Sequence, residues 1–245
     1  MPTTFELNVS GNSGVPDPKP PVNGSDGPPL GPQGNGDPGT AKGRKCLTPA
    51  GPGQPGNAGQ TAPAANNGAN GQNAWSVTIV CNEFSGSSLN LLNKGGDGAA
   101  GDDGGNGGNG GNGGDAGTQP KACTETINGG VGGNAGNGGN GGSGGSGGNA
   151  GNVSLIYGPG FTSIPLSSFS SGGIGGAAGK YGAPGKPGQG GKDSEGNPAQ
   201  PGATGSYGAQ GTVGKGGSAG STTVKQDTTR PQFYLALTVQ MNTTV

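Results

Sequence analysis

Glycine recurs at every third position from residue 95 to residue 113, and again from residue 130 to residue 151. An α-helix repeats its side-chain directions about every 3.6 residues and a β-strand about every two, so neither explains this spacing. A three-residue period is that of polyproline-II geometry, which rises about 3.1 Å per residue and has no internal hydrogen bonds. Every amide in such a segment needs a partner on another segment or in water. Glycine along one side lets a neighbouring segment approach closely enough to be that partner.

The same period occurs on both sides of residues 95–151. Glycine or alanine recurs in threes through residues 53–71, and glycine does so through residues 173–191 and 202–220, whereas residues 11–39 are proline-rich with looser spacing. Polar turns are expected near residues 40–50, 118–128 and 192–200. We therefore predict a mainly irregular chain with a bundle of about six antiparallel polyglycine-II helices, arranged as three hairpins of residues 11–73, 94–151 and 171–221.

Short runs of alternating apolar and polar residues between the hairpins predict β-strands. The predicted strands are residues 3–9 (with Phe5, Leu7 and Val9 on one face), 75–80, 152–157 and 232–241. Residues 89–92 are predicted to be the hairpin partner of 75–80, and the segment with Ile164, Leu166 and Phe169 to be its equivalent. The strands are assigned to a discontinuous all-β base of residues 3–10, 74–93, 152–170 and 222–243, a short-stranded sheet or sandwich, with almost no α-helix.

The kind of triplet predicts which hairpin is central. Residues 95–151 are mostly Gly-Gly-X, while the other two hairpins are mostly Gly-X-X. A helix with two bare sides per turn accepts close neighbours on both, whereas one bare side suits the edge of a bundle. The second hairpin is therefore predicted to lie in the middle.

Composition narrows the function. The formal net charge is −1 and charged residues make up 10% of the chain, which lacks the basic footprint of a nucleic-acid binder. No apolar run approaches the roughly 18 residues of a membrane span. Histidine is absent from the sequence, which removes the usual general base, and we expect a protein that is not an enzyme and uses no cofactor or metal. The start, MPTTFELNVS, lacks the basic and apolar regions of a secretion signal, so we expect either a mature form or a protein that reaches its destination without that route, as virion proteins do.

Two of the three cysteines occupy equivalent turns. Cys46 lies in the first predicted turn and Cys123 in the second, while Cys81 ends a predicted strand. Cys46 and Cys123 are either a disulfide that ties neighbouring turns together or two reduced thiols. Cys81 is expected to be a small buried side chain.

Asparagine forms two ladders with the three-residue period, one at residues 106, 109 and 112 and one at residues 134, 137 and 140. Such a ladder is either a regular binding surface or a set of side chains that bond to neighbouring backbone, and we favour the second. At the turns, the candidate contact residues for a partner are Arg44, Lys45, Lys121, Glu125, Asp193 and Glu195. Loops held by a rigid scaffold are common binding sites.

These triplets resemble those of polyglycine-II bundle proteins. Two such families are the tip adhesins of long tail fibres of T-even-like phages and, less closely, springtail antifreeze proteins. The resemblance covers residues 95–151 and 172–220, and it implies a glycine-rich bundle that presents variable turns to a receptor, or a face to ice. The chain departs from both families: springtail proteins lack a β portion, and the turns here lack the aromatic residues of phage adhesins, so no binding residue is carried over.

We expect a non-enzymatic structural or adhesive protein on a virion surface, a tail-fibre or decoration component whose partners are other subunits and a cell-surface receptor. The alternatives are a subunit of a self-assembling extracellular filament and an ice-binding protein. Hydrophobic strands at both chain ends are expected to pair with a neighbouring subunit, since unpaired edges invite pairing. The residues concerned are Phe5, Leu7, Val9, Phe233, Leu235, Leu237 and Val239.

Overall fold

The computed structural model describes residues 4–81, 88–158, 166–229 and 236–240. Most of these residues are irregular, and the regular elements are short β-strands. The only helical element among the described residues is one 3-10 turn, Pro32–Gly34. The predicted near-absence of helix is therefore confirmed for the described part of the chain.

The strands form two larger sheets and one small hairpin. In chain order they are β1 Thr4–Asn8, β2 Thr40–Lys42, β3 Lys45–Thr48, β4 Ser76–Cys81, β5 Ser88–Lys94, β6 Val153–Tyr157, β7 Leu166–Ser171, β8 Thr222–Gln226 and β9 Ala236–Gln240. The first sheet has the order β1-β5-β7 and is parallel throughout. The second has the order β8-β6-β4-β9, in which only β9 runs antiparallel to its neighbour. Strands β2 and β3 form the hairpin at the first turn.

The predicted pairing of residues 89–92 with residues 75–80 is wrong. Those residues belong to β5 and β4, which lie in different sheets and form no ladder with each other. Their apolar faces instead pack together, since Ile79 of β4 and Leu91 of β5 belong to one core cluster. Packing face to face buries the apolar side of both strands. Pairing within one sheet would join their edges, and their apolar faces would then not contact each other.

Other strand boundaries also differ from those expected. Strand β8 was not predicted as a strand, because all five of its residues are exposed and give no alternation of burial. The predicted final strand is described only as β9, and its other residues, with Ile164, lie outside the described part of the chain. The first turn, expected to be a polar loop, contains the β2–β3 hairpin.

The hydrophobic core lies between the two larger sheets. Leu155 is completely buried, and Val77 and Val153 are each 1% exposed. The cluster draws on both sheets and comprises Val9, Val77, Ile79, Cys81, Leu89, Leu91, Val153 and Leu155, with Leu7, Trp75 and Leu166 packed against it. The described part of the base is thus a small sandwich with one core cluster.

Six glycine-rich segments connect these strands, and we number them in chain order. They are segment 1 (11–39), segment 2 (50–74), segment 3 (95–117), segment 4 (129–151), segment 5 (172–191) and segment 6 (199–221). Odd-numbered segments leave the first sheet and even-numbered segments return to the second. Segments 1, 3 and 5 form one row of parallel neighbours and segments 2, 4 and 6 form another. A representative bond within a row runs from Gly98 N to Ile174 O, 2.8 Å.

The two rows are joined by a second set of backbone bonds between antiparallel segments. Gly133 N donates to Gly111 O and Gly176 N donates to Gly145 O, each at 2.8 Å, and the bonds recur every third residue. Segments 3 and 4 each bond to four neighbours, whereas the others bond to two or three. The central position is the one that the Gly-Gly-X triplets predict.

One register runs through the sheets and the segments. Val77 of β4 pairs with Val153 of β6, and Ser143 N donates to Asn67 Oδ1 across the same separation of 76 residues. Likewise Leu89 pairs with Leu166, and Lys180 N donates to Asp103 Oδ1, both across 77 residues. Since neighbours advance together, the three turns lie at the end of the molecule opposite to the sheets.

A buried asparagine connects the sandwich to the segments. Asn93, at the end of β5, is 0% exposed. Its Nδ2 donates to Gly151 O at 2.8 Å, and its Oδ1 accepts from Gly151 N at 3.1 Å. One side chain therefore satisfies both backbone groups of the residue at which segment 4 returns to the base.

Replacement of this side chain is expected to be costly. Asn93→Ala leaves the buried N–H of Gly151 without a partner and leaves its C=O with only the Ser170 hydroxyl, at 3.3 Å, and an unsatisfied buried group costs about 1–3 kcal/mol. We expect the free energy of unfolding, measured by urea titration, to fall by about 1–3 kcal/mol. Asn90→Ala, at a half-buried position of the same strand, is the control, with an expected change within about 0.5 kcal/mol. Equal losses in the two variants would contradict the proposed bonding role of Asn93.

Candidate binding surfaces at the turns and on the outer faces

The asparagine ladders bond to backbone. In segment 3, Asn106 Oδ1 accepts from Ala183 N at 2.9 Å and Asn109 Oδ1 accepts from Lys186 N at 2.8 Å. Asn112 makes the equivalent bond to Gln189, and Asn134, Asn137 and Asn140 of segment 4 bond to Ala203, Ser206 and Ala209. Each side-chain oxygen accepts a hydrogen bond from a backbone N–H of the next segment in its row. The ladders therefore hold the rows together, as the favoured interpretation predicted.

The two outer faces differ in charge. The row of segments 1, 3 and 5 carries acidic side chains on segment 3, among them Asp97, Asp103 and Asp115, and lysines on segment 5. In the row of segments 2, 4 and 6 the sequence holds a single charged residue, Lys215. The molecule thus has one charged face and one almost uncharged face rich in asparagine, serine and alanine.

Asp97 is bonded at the base of the charged face. Lys94 Nζ lies 2.8 Å from Asp97 Oδ2, and Ile174 N donates to Asp97 Oδ1 at 2.8 Å. The hydrogen bond from Lys94, helped by that from Ile174, lowers the pKa of the Asp97 carboxyl. The carboxylate therefore joins the start of segment 3 to the start of segment 5.

The first turn is a cationic hairpin. Lys42, Arg44 and Lys45 surround Gly43, whose φ of 60° lies in the left-handed region that favours glycine. All three cationic residues are exposed. The hairpin is held by a disulfide between Cys46 and Cys123, whose Cα atoms are 4.9 Å apart. The Cys123 sulfur also lies 3.9 Å from Thr48 O, so the second turn rests directly on this hairpin.

The second and third turns are hydrogen bonded to each other. Thr126 Oγ1 donates to Glu195 Oε1 at 2.6 Å, and Ser194 N donates to Ile127 O at 2.8 Å. Lys121 and Glu125 are exposed in the second turn. With the disulfide, these bonds join all three turns into one end surface.

Asp193 serves the third turn internally. Its carboxylate accepts bonds from Glu195 N at 2.9 Å and from Asn197 N at 2.8 Å. The side chain of Asn197 adds a bond at 3.0 Å, and these bonds, the side-chain bond foremost, lower the pKa of Asp193. Of the residues predicted to contact a partner, Asp193 and Glu195 are thus engaged within the turns, while Arg44, Lys45, Lys121 and Glu125 are exposed.

The predicted assembly strands lie at the ends of their sheets. Strand β1 is the last member of the first sheet and β9 of the second. The side chain of Val9 is buried, and Leu7 packs against the core. For three further residues the structure gives only the strand pairing: Phe5 pairs with Leu89, Leu237 with Ile79 and Val239 with Val77. The remaining two, Phe233 and Leu235, lie outside the described residues.

An aromatic pair on the outer edge was missed by the sequence analysis. The rings of Tyr181 and Tyr207 meet edge to face with centroids 5.6 Å apart, and the residues are 50% and 65% exposed. They belong to segments 5 and 6, at triplet positions where segments 3 and 4 carry glycine or alanine. Segment 5 carries Pro184 and Pro187 at the same triplet position. The sequence holds a signal for this difference, because segments 3 and 4, which each bond to four neighbours, keep glycine or alanine at this position.

Within the described residues no group of histidine, cysteine, aspartate and glutamate side chains is placed to hold a metal ion. No helix in that part of the chain is long and apolar enough to cross a membrane. Comparisons with protein-family models, with curated proteins and with solved structures found no match to this chain.

Proposed function

We propose that this chain is a non-enzymatic structural and adhesive protein, in which six polyglycine-II helices form a stiff bundle that projects three joined turns away from a β-sandwich base. The observation that carries the proposal is the common register of sheets and segments, which gathers the turns at the end opposite to the base. A surface at the far end of a rigid scaffold is well placed to meet a partner.

The assignment of polyglycine-II geometry is supported by two features of the segments. Their backbone hydrogen bonds recur every third residue and, apart from the 3-10 turn in segment 1, run between segments, as expected for a helix with three residues per turn. A Cβ atom added at most of their glycines would overlap a neighbouring backbone carbonyl. Such close packing requires bare Cα positions at that period.

For the setting we propose a virion surface, where the sandwich docks to a larger structural protein. The support is the position of β1 and β9 at sheet ends, since a partner strand adds to an open edge through main-chain bonds. Growth into filaments past segment 5 is disfavoured, because Pro184 and Pro187 lack the N–H that the equivalent Gly107 and Gly110 of segment 3 donate to the next segment of their row. The proposal is therefore a discrete projecting subunit.

The test attaches a bulky polymer at chosen points of the full-length protein. Polyethylene glycol is coupled to a single new thiol in Glu195→Cys at the third turn, in Glu6→Cys at an exposed position of β1, or in Gln210→Cys on the side of segment 6. We expect coupling at residue 195 to abolish binding to host cells, with coupling at residue 210 harmless. Coupling at residue 6 is expected to weaken attachment to particles. Cell binding that survives coupling at residue 195 but fails at residue 210 would reject display by the turns.

A second candidate, ice binding, is favoured by the almost uncharged face of segments 2, 4 and 6. Its exposed positions are mostly asparagine, serine, threonine and alanine at regular spacing. Thermal hysteresis in dilute solution, lost when Asn137→Lys places a charge on that face, would support this function. A solution without hysteresis would remove it.

A further inference from the structure

The first turn concentrates positive charge to a degree unmatched elsewhere in the described chain. Lys42, Arg44 and Lys45 fall within four residues, and the sequence has no acidic residue from position 38 to position 82. The three side chains are exposed, and none forms an ion pair within the described residues. Their charges are therefore available to a partner.

The turn is also held rigid, which limits the entropy lost on binding. The disulfide fixes β3 to the second turn, and Ala50 N donates to Gln119 Oε1 at 2.9 Å on the return side. Lys121 lies two residues before Cys123, so the same cross-link brings a fourth exposed cation beside the hairpin. The exposed side chain of Leu47 adds an apolar surface next to the cations.

We propose that this first-turn surface, formed by Lys42, Arg44, Lys45 and Lys121, binds an anionic polysaccharide of the cell envelope through its phosphate or sulfate groups. The proposal rests on the proposed display function and names the class of receptor. Arginine presents a planar fork of donors that matches phosphate and sulfate oxygens, and lysine adds compact charge. Such groups along a flexible polymer suit a narrow cationic patch.

The surroundings favour a polysaccharide over a nucleic acid. A nucleic-acid duplex requires a broad basic face. Here carboxylates lie near the cations in the sequence: Asp37 near the end of segment 1, Asp115 near the end of segment 3, and Asp193 and Glu195 in the third turn. These carboxylates would face the phosphates of a wide, stiff duplex. A flexible chain can contact the patch and avoid them.

The experiment measures binding of the full-length protein to immobilised dextran sulfate, phosphorylated dextran, unmodified dextran and duplex DNA at low and high salt. We expect binding to both anionic dextrans, none to unmodified dextran, and weaker binding at high salt because of screening. The variant Lys42→Ser/Arg44→Ser/Lys45→Ser is expected to bind about tenfold to a hundredfold more weakly. The control Lys180→Ser/Lys186→Ser/Lys215→Ser removes the same charge from segments 5 and 6, away from the turns, and is expected to change affinity by less than about twofold.

Equal losses in the two triple variants would overturn the proposal, because they would indicate attraction to net charge alone. Tighter binding to duplex DNA than to either anionic dextran would also overturn it. Cell binding separates this inference from the display function. If the first-turn variant binds cells as well as the unmodified protein does, while polymer at residue 195 still blocks binding, the receptor class is wrong and display stands.

Discussion

Gly147→Ala is expected to destabilise the protein by about 3 kcal/mol or more, and Gly216→Ala to leave its stability nearly unchanged. The two glycines face the same carbonyl oxygen, that of Gly173, from segments 4 and 6. A Cβ atom at residue 147 would overlap that oxygen, whereas one at residue 216 would lie 3.7 Å from it, an ordinary contact. The oxygen belongs to backbone bonded on several sides, so it cannot move away alone.

Urea unfolding followed by circular dichroism measures the difference. Both substitutions remove the same backbone freedom from the unfolded chain, a stabilising effect of about 0.4–1 kcal/mol, so the comparison isolates the packing in the folded state. Neither glycine has a positive φ, and the substitutions therefore add no left-handed strain. Similar midpoints for the two variants would contradict close packing of segments 4 and 5.

Loss of the Cys46–Cys123 disulfide is expected to lower the stability by about 4.5 kcal/mol and the melting temperature by about 10 °C or more. The bond closes a long loop, because the cysteines are 77 residues apart, and an open loop of that length gains much entropy in the unfolded chain. The destabilisation is expected to begin at the turns. The first hairpin is the least regular of the three, and the bond is its covalent tie to the second.

The melting temperature of Cys46→Ser/Cys123→Ser, compared with that of the unmodified protein with and without reductant, tests this expectation. Reductant is expected to lower the melting temperature of the unmodified protein to that of the double variant and to leave the variant unchanged. Cys81 is buried in the core and is present in both proteins, so any effect of its thiol on the melting temperature is the same in both. A melting temperature that does not respond to reductant would show that the loop is held by its other contacts.

The parts predicted from the sequence are those with a local signal. A glycine at every third position fixes the direction in which a neighbour lies, and the polar stretches between these runs locate the turns. Strand partners carry no such signal: Leu91 faces Ile79 across the core, although the sequence suggested that their strands pair edge to edge. The exposed strand β8 has no burial pattern at all and exists because β6 offers it an edge.

The candidate binding surface at the turns could be predicted only in part from the sequence. The cations at residues 42, 44 and 45 are close together in the sequence itself. Lys121 is brought beside them by the disulfide, and the sequence alone allows either a disulfide or two reduced thiols at Cys46 and Cys123. The internal use of Asp193 by Asn197 depends on the path of a short loop. Such contacts depend on tertiary geometry rather than on residue type.

The bulky residues of segments 5 and 6 have a consequence for how such a protein can change in size. Segments 3 and 4 accept neighbours on either side, so a second copy of residues 82–157 inserted after residue 157 would add one strand to each sheet and one member to each row. The final hairpin would still terminate the array. In this architecture the number of middle repeats in the sequence therefore sets the width of the bundle. The width does not depend on the protein concentration, as it would in an assembly of separate subunits.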